Sequence, residues 1–180
     1  MKAKTQIAII VSTTAAIIVA LAIALLVRYR LSKRVSETTI QQFGNPSLPR
    51  GYRNNNPLNI RISSDRWLGK VEPNTDGAFE QFAQPVYGYR AAIKLIQNYI
   101  RNRHLTTISQ IVSRWAPPSE NYTQNYIQHV ADTTGIPANA TLSPSNKQQI
   151  TSIVYAMAIR ENGTKFMPDM ATISEAWDML

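Results

Sequence analysis

The chain has 180 residues, enough for one domain with an appendage, and it contains no cysteine, which excludes a disulfide framework, a cysteine nucleophile and cysteine-ligated zinc. Its two histidines, His104 and His129, are far apart and belong to no HExxH pattern, so we expect neither a metal nor a cofactor. The net charge of +8 arises in residues 1–53, since residues 54–180 hold eleven Lys and Arg against ten Asp and Glu, and this near-neutral balance argues against a nucleic-acid partner.

An apolar run follows an N-terminal tail of residues 1–6. Residues 7–27, IAIIVSTTAAIIVALAIALLV, carry no charge, and at about 1.5 Å per residue they would span roughly 30 Å, which predicts a single transmembrane helix. The alternative is a cleaved signal peptide, because Ala22-Ile23-Ala24 resembles a small-x-small cleavage site. An uncleaved anchor is favoured, because the apolar run continues to Val27 and stops at the basic RYRLSKR.

The rest of the chain divides into a linker and a domain. Residues 28–49 read as a basic juxtamembrane segment and polar linker, and residues 50–180 as a folded domain. Alternation at 60–62 and 79–82 predicts a small β region. Apolar spacing predicts four helices, and the capping box Thr172-x-x-Glu175 predicts a short fifth. The four are Tyr87–Arg103, Thr107–Trp115, Asn121–Thr134 and Asn146–Arg160. The expected class is therefore α+β, mainly α.

Glu161 is the first candidate for chemistry. It follows Met157, Val154 and Ile150 at helical spacing, which places it at the C-terminal end of an apolar face. Partial burial and the negative end of the helix dipole both predict a raised carboxyl pKa, as a general acid for glycosidic cleavage requires. The alternative is that Glu161 turns outward and pairs with Arg160.

Glu120 is the second candidate, because the double proline of WAPPSEN fixes its connection close to the preceding helix. It could instead be a first-turn acid of the next helix, which the helix dipole would favour. The remaining candidates are aromatic and amide side chains of the kind that line sugar clefts, although aromatics in small domains also form core. These substrate-binding candidates are Asn54, Asn55, Asn56, Asn59, Trp67, Tyr89, Trp115, Asn121 and Tyr126.

Five blocks of the domain, in order, carry a resemblance to a known family. They are RNNNPLNIR, RWLG, AFEQFAQPVYGYRAAIKLIQNY, ISQIVSRWAPPSENYTQNYIQHV and AIRENG, within residues 50–165. Together they resemble phage and prophage virion-associated proteins, often labelled structural proteins, with lysozyme-like peptidoglycan-degrading domains. NNPLNIR followed by F-x-x-F-x-x-P-x-x-G is also similar, more weakly, to blocks of flagellar-type glucosaminidases.

The resemblance implies a lysozyme-like fold and a role for Glu161. In such folds the catalytic Glu ends a helix before a small residue, and Glu161-Asn162-Gly163 matches that pattern here. Because this fragment follows the NN block, the implied arrangement of the fold is circularly permuted. Leu58 stands where the family motif has glycine, which puts the shape of that loop, and with it the activity, in question.

The expected function is a membrane-anchored peptidoglycan glycosidase, either a lytic transglycosylase or a muramidase, associated with a phage virion. The alternative is a non-catalytic structural protein of a virion or envelope, whose lysozyme-like domain binds a glycan or a partner. The expected partners are peptidoglycan glycan strands, the lipid bilayer through residues 7–27 and other virion or envelope proteins. The expected location is a single-pass integral protein of a phage internal membrane or of a bacterial inner membrane, and the charge count leaves its sidedness open.

Overall fold

The computed structural model describes residues 17–26, 43, 45–118 and 122–180. The chain divides into two compact units, Met1–Ile40 and Gln41–Leu180. In the first unit, residues 17–26 form helix α1. Glu120 and Asn121, two of the candidate site residues, lie outside the described residues, and so does most of the linker segment 28–49.

None of the helices in the described part of the chain is long and apolar enough to cross a membrane. Residues 7–16 and Val27, the remainder of the predicted span, lie outside the described residues. The predicted transmembrane helix, and the integral membrane location inferred from it, are therefore contradicted.

The described residues of the second unit form six helices, and the helices expected from apolar spacing are confirmed to within a few residues. Thr107 caps α4 by accepting a bond from the amide of Gln110, and Asn146 caps α6 in the same way. The predicted capping box at Thr172 is wrong: Asp169 caps the last helix through the amides of residues 171 and 172. The helices are α2 (Arg50–Arg53), α3 (Pro85–Arg103), α4 (Ile108–Trp115), α5 (Thr123–Thr134), α6 (Lys147–Asn162) and α7 (Met170–Asp178).

The expected β region is reduced to two isolated antiparallel bridges, Arg61 with Phe79 and Lys70 with Phe82, and the described residues contain no strand. Backbone hydrogen bonds still join the two segments, from Ile62 N to the carbonyl of Ala78 at 3.0 Å and from Glu80 N to the carbonyl of Ile60 at 2.8 Å. Asn56 Nδ2 adds two more, because it donates to the carbonyl oxygens of Ile60 and Glu80, each at 2.9 Å. The α+β class and the lysozyme-like fold with a β region are therefore wrong, and the described domain is helical with an irregular segment at 54–84.

Helix α6 is the centre of the domain and packs against α2, α3, α5 and α7. Ile150, Ile153, Val154 and Met157 are all fully buried. Burying each such side chain stabilises the fold by about 1.5–3 kcal/mol relative to leaving it exposed. The core therefore fixes the C-terminal end of α6, where Glu161 lies, against the irregular segment.

Candidate functional site

Glu161, the penultimate residue of α6, accepts a hydrogen bond on each carboxylate oxygen. Asn59 Nδ2 donates to Oε2 at 2.8 Å, and the Tyr126 hydroxyl donates to Oε1 at 2.9 Å. The side chain is half-buried, and it turns toward the irregular segment rather than outward to solvent. Arg160 is exposed, and its guanidinium carbon lies 5.9 Å from the ring centroid of Tyr126. Glu161 is thus held between α5 and the loop that carries Asn59.

Burial raises the pKa of the Glu161 carboxyl above its ordinary value. The hydrogen bonds from Asn59 and Tyr126 and the positive charge of Arg160 act in the opposite direction, since each stabilises the carboxylate. Burial also raises the pKa of Tyr126 well above its ordinary value, reinforced by the neighbouring charge of Glu161, so the tyrosine remains a neutral donor. The expected upward shift at Glu161 is confirmed, with burial as its main cause.

The loop RNNNPLNIR places Asn59 through its backbone. Asn55 and Asn59 adopt φ of 50° and 49°, a left-handed conformation that asparagine tolerates better than most residues. Leu58 does not adopt positive φ, and its side chain is fully buried in the core. The loop therefore obtains its left-handed positions from asparagines, and Leu58 in place of glycine causes no strain of this kind.

Asn54, Asn55 and Asn56 are buried and are engaged inside the domain. Their amide groups hold the irregular segment together, in the way that backbone ladders hold a sheet. Their predicted part in substrate binding stays a prediction. Their amide nitrogens donate to Asp76 Oδ2 at 2.8 Å, to the carbonyl oxygen of Phe82 at 3.0 Å, and to the carbonyl oxygens of Ile60 and Glu80, both at 2.9 Å.

A cavity of about 410 Å³ opens beside this loop, and we call it the tryptophan cavity. Trp67, Trp115 and Asn59, three of the predicted site residues, line it together with Tyr99. Tyr99 makes an edge contact with Trp115 at a centroid distance of 6.3 Å. Asn59 lines the cavity and also donates a hydrogen bond to Glu161. The Glu161 carboxylate is therefore connected to the cavity lining through Asn59.

Two polar atoms of these lining residues have no hydrogen-bond partner among the described residues. They are the indole nitrogen Nε1 of Trp67 and the amide oxygen Oδ1 of Asn59, and both are buried. One is a donor and the other an acceptor, and buried polar atoms are normally paired.

The other predicted site residues lie elsewhere. Tyr89 is buried in α3. Tyr126 contacts the site only through the hydrogen bond that its hydroxyl donates to Glu161. Sequence reasoning missed Tyr99 and the cationic lining residues Arg61 and Arg114. Half-burial of an aromatic at a cavity rim has no local sequence signal, so only the packing reveals it.

No family model matches the chain. Over 118 residues it is 44% identical to Protein P5 of Pseudoalteromonas phage PM2, an alignment that covers 64% of this chain and 72% of that protein. Identity of this level over this share of both chains indicates common descent. The chain therefore belongs to the family of Protein P5 of Pseudoalteromonas phage PM2.

Proposed function

We propose that this chain is a structural component of a bacteriophage particle and that its helical domain binds a glycan or a partner protein there. The observation that carries this proposal is the 44% identity to a phage protein over 118 residues. The tryptophan cavity supports the binding role, because its lining combines the aromatic side chains of Trp67, Tyr99 and Trp115 with polar residues.

The composition of purified particles tests this function. Particles of the encoding phage would be purified on a density gradient, and each fraction probed with an antibody against the chain. The expected result is that the chain sediments with infectious particles in constant ratio to the capsid protein and resists a high-salt wash. Recovery only in the soluble fraction of the lysate would contradict the proposal.

The geometry of Glu161 favours a second candidate function, the cleavage of glycosidic bonds in peptidoglycan. Burial raises the pKa of the Glu161 carboxyl and so favours the protonated form that a general acid needs. Such a group can donate a proton to a departing glycosidic oxygen that comes within hydrogen-bond distance of it. The Asn59 amide and the Tyr126 hydroxyl would then stabilise the carboxylate left after proton transfer, because both donate to it.

The two forms of this chemistry differ in the number of carboxylates that they need. A lytic transglycosylase can use one carboxylate together with a hydroxyl of the substrate itself, whereas a hydrolase needs a second carboxylate for a nucleophile or a water. Glu161 supports only the proton-donating step, which both forms share, and Glu120, the second candidate carboxylate, lies outside the described residues. The proposal therefore covers the lytic transglycosylase and the muramidase alike.

A turbidity assay on purified peptidoglycan tests the second candidate. The chain should clear the suspension, and Glu161→Gln should reduce the rate by about 100-fold or more, as the loss of a general acid does. Glu175→Gln is the matched control, because Glu175 is an exposed carboxylate on α7. Equal clearing by Glu161→Gln and the unaltered chain would exclude Glu161 as the acid, and no clearing by the unaltered chain would leave the binding role.

A further inference from the structure

A second cavity of about 510 Å³ adjoins the tryptophan cavity, and we call it the basic cavity. Arg66, Arg90 and Lys94 contribute three positive charges to its lining. Trp67 and Asp65 line both cavities, which are therefore neighbours. A branched ligand in the tryptophan cavity could reach the basic cavity by passing Trp67.

The charge around the two cavities is far from the balance of the domain. Among the described residues that line them, the cationic side chains are Arg61, Arg66, Arg90, Lys94 and Arg114, and the acid is Asp65. Residues 54–180 as a whole are nearly neutral, with eleven Lys and Arg against ten Asp and Glu. The excess of positive charge is thus local, and clefts lined by one sign of charge concentrate ligands of the other sign.

The charges of the three cations in the basic cavity are not neutralised by ion pairs inside the described part of the protein. No ion pair there joins Arg66, Arg90 or Lys94 to an acid. Arg90 Nε donates to the carbonyl oxygen of Met179 at 2.9 Å, which positions the guanidinium without cancelling its charge. Asp65 Oδ2 accepts from the Ser63 hydroxyl at 3.0 Å. The basic cavity therefore offers cations to a ligand that brings its own anions.

We propose that the basic cavity binds the carboxylates of a short peptide attached to the glycan that occupies the tryptophan cavity. The preferred ligand is then a peptide-substituted glycan, as in peptidoglycan, rather than a neutral sugar chain. Arginine and lysine bind carboxylates through charge-assisted hydrogen bonds, which are roughly twice as strong as neutral ones. This inference rests on the proposed glycan binding and adds the feature by which the site would select its ligand.

The test is a binding measurement by titration calorimetry on the full-length Glu161→Gln chain, in which turnover is blocked. The probes are a neutral chitotetraose and a peptidoglycan disaccharide bearing its acidic tetrapeptide. We expect the peptide-bearing fragment to bind about tenfold tighter or more, and its affinity to fall as salt is added. In Arg66→Gln combined with Lys94→Gln this preference should disappear, while binding of chitotetraose should be unchanged.

Arg103→Gln in the same background is the matched control, because Arg103 is an exposed cation of α3 that lines neither cavity. It should keep the full preference. Equal affinity for the two probes would overturn this inference and leave glycan binding intact, whereas binding of neither probe would refute both. If the chain bound a DNA duplex more tightly than the peptide-bearing fragment, and Lys94→Gln weakened that binding, the basic cavity would be assigned to nucleic acid. That result would also overturn the inference.

Discussion

Removing the Tyr126 hydroxyl tests the charge state of Glu161 most directly. Tyr126→Phe keeps the buried ring and deletes the donor that lies 2.9 Å from Glu161 Oε1. A hydrogen bond to a charged group contributes about 1.5–3 kcal/mol, and one between neutral groups about 0.5–1.5 kcal/mol. The carboxylate therefore loses about 1 kcal/mol more than the carboxylic acid does, and we expect the pKa of Glu161 to rise further in the variant.

The assay is a carbon-13 NMR titration of the glutamate side-chain carboxyl carbons, with Glu161 assigned by its loss in Glu161→Gln. The midpoint of the Glu161 signal should move to higher pH in Tyr126→Phe. The bond from Asn59 Nδ2 to Oε2 remains, so the site should keep its structure. If the amide chemical shifts outside the immediate surroundings of residue 126 stay the same, the fold is unchanged.

Tyr52→Phe is the matched control, because it deletes a tyrosine hydroxyl that donates to the carbonyl oxygen of Met167 at 2.9 Å, whereas Asn59 and Tyr126 donate to Glu161. It should leave the Glu161 midpoint where it is in the unaltered chain. A midpoint in Tyr126→Phe that is unchanged, or that moves to lower pH, would refute the argument that this hydroxyl stabilises the carboxylate.

Four further predictions concern stability, each measured by chemical denaturation. Gly88→Ala should destabilise the domain by about 1–3 kcal/mol, because a Cβ there would overlap the carbonyl oxygen of Asn55. Leu58→Gly should cost about 2–5 kcal/mol or more, because Leu58 is fully buried and does not need positive φ. Burial disfavours the charge of Asp76, but hydrogen bonds and an arginine outweigh this effect and lower the pKa of Asp76. Asp76→Asn should therefore be less stable than the unaltered chain at neutral pH, and this difference in stability should shrink as pH falls below about 3.8. The pKa of Glu161 is raised instead, so the unaltered chain should lose stability relative to Glu161→Gln as pH rises above about 4.5. For Asp76→Asn and for Glu161→Gln, a difference in stability from the unaltered chain that does not change with pH would contradict the prediction.

The helices could be predicted from sequence because their signals are local. Apolar spacing gave α3 to α6, and it placed Glu161 correctly at the end of the apolar face of α6. The prediction of a β region was wrong because alternation of apolar and polar residues there does not reflect one buried and one solvent-exposed face. The consecutive residues Glu80, Gln81 and Phe82 are all buried. Polar side chains that are buried and hydrogen-bonded leave the same pattern as polar side chains in water.

The candidate site could be predicted only in part, because its contacts join distant parts of the chain. Asn59 and Glu161 are 102 residues apart in sequence and 2.8 Å apart in the structure. Asn59 was predicted as a sugar-binding amide and Glu161 as an acid, each from its own surroundings, and neither pattern indicates that the two bind each other. The basic cavity was missed for the same reason, since its cations come from residue 66 and from α3.

The position of Asn59 relative to Glu161 follows from how its loop is attached. Asn162, the residue after Glu161, donates from Nδ2 to the carbonyl oxygen of Pro57 at 2.7 Å, so two consecutive residues of α6 bind the loop. On the other side, Gly88 of α3 lets the carbonyl of Asn55 approach closer than any side chain would allow. A loop fixed to two core helices cannot move Asn59 away from Glu161 without disturbing the core. The hydrogen bond that stabilises the Glu161 carboxylate is therefore a property of the fold, present before any ligand enters the tryptophan cavity.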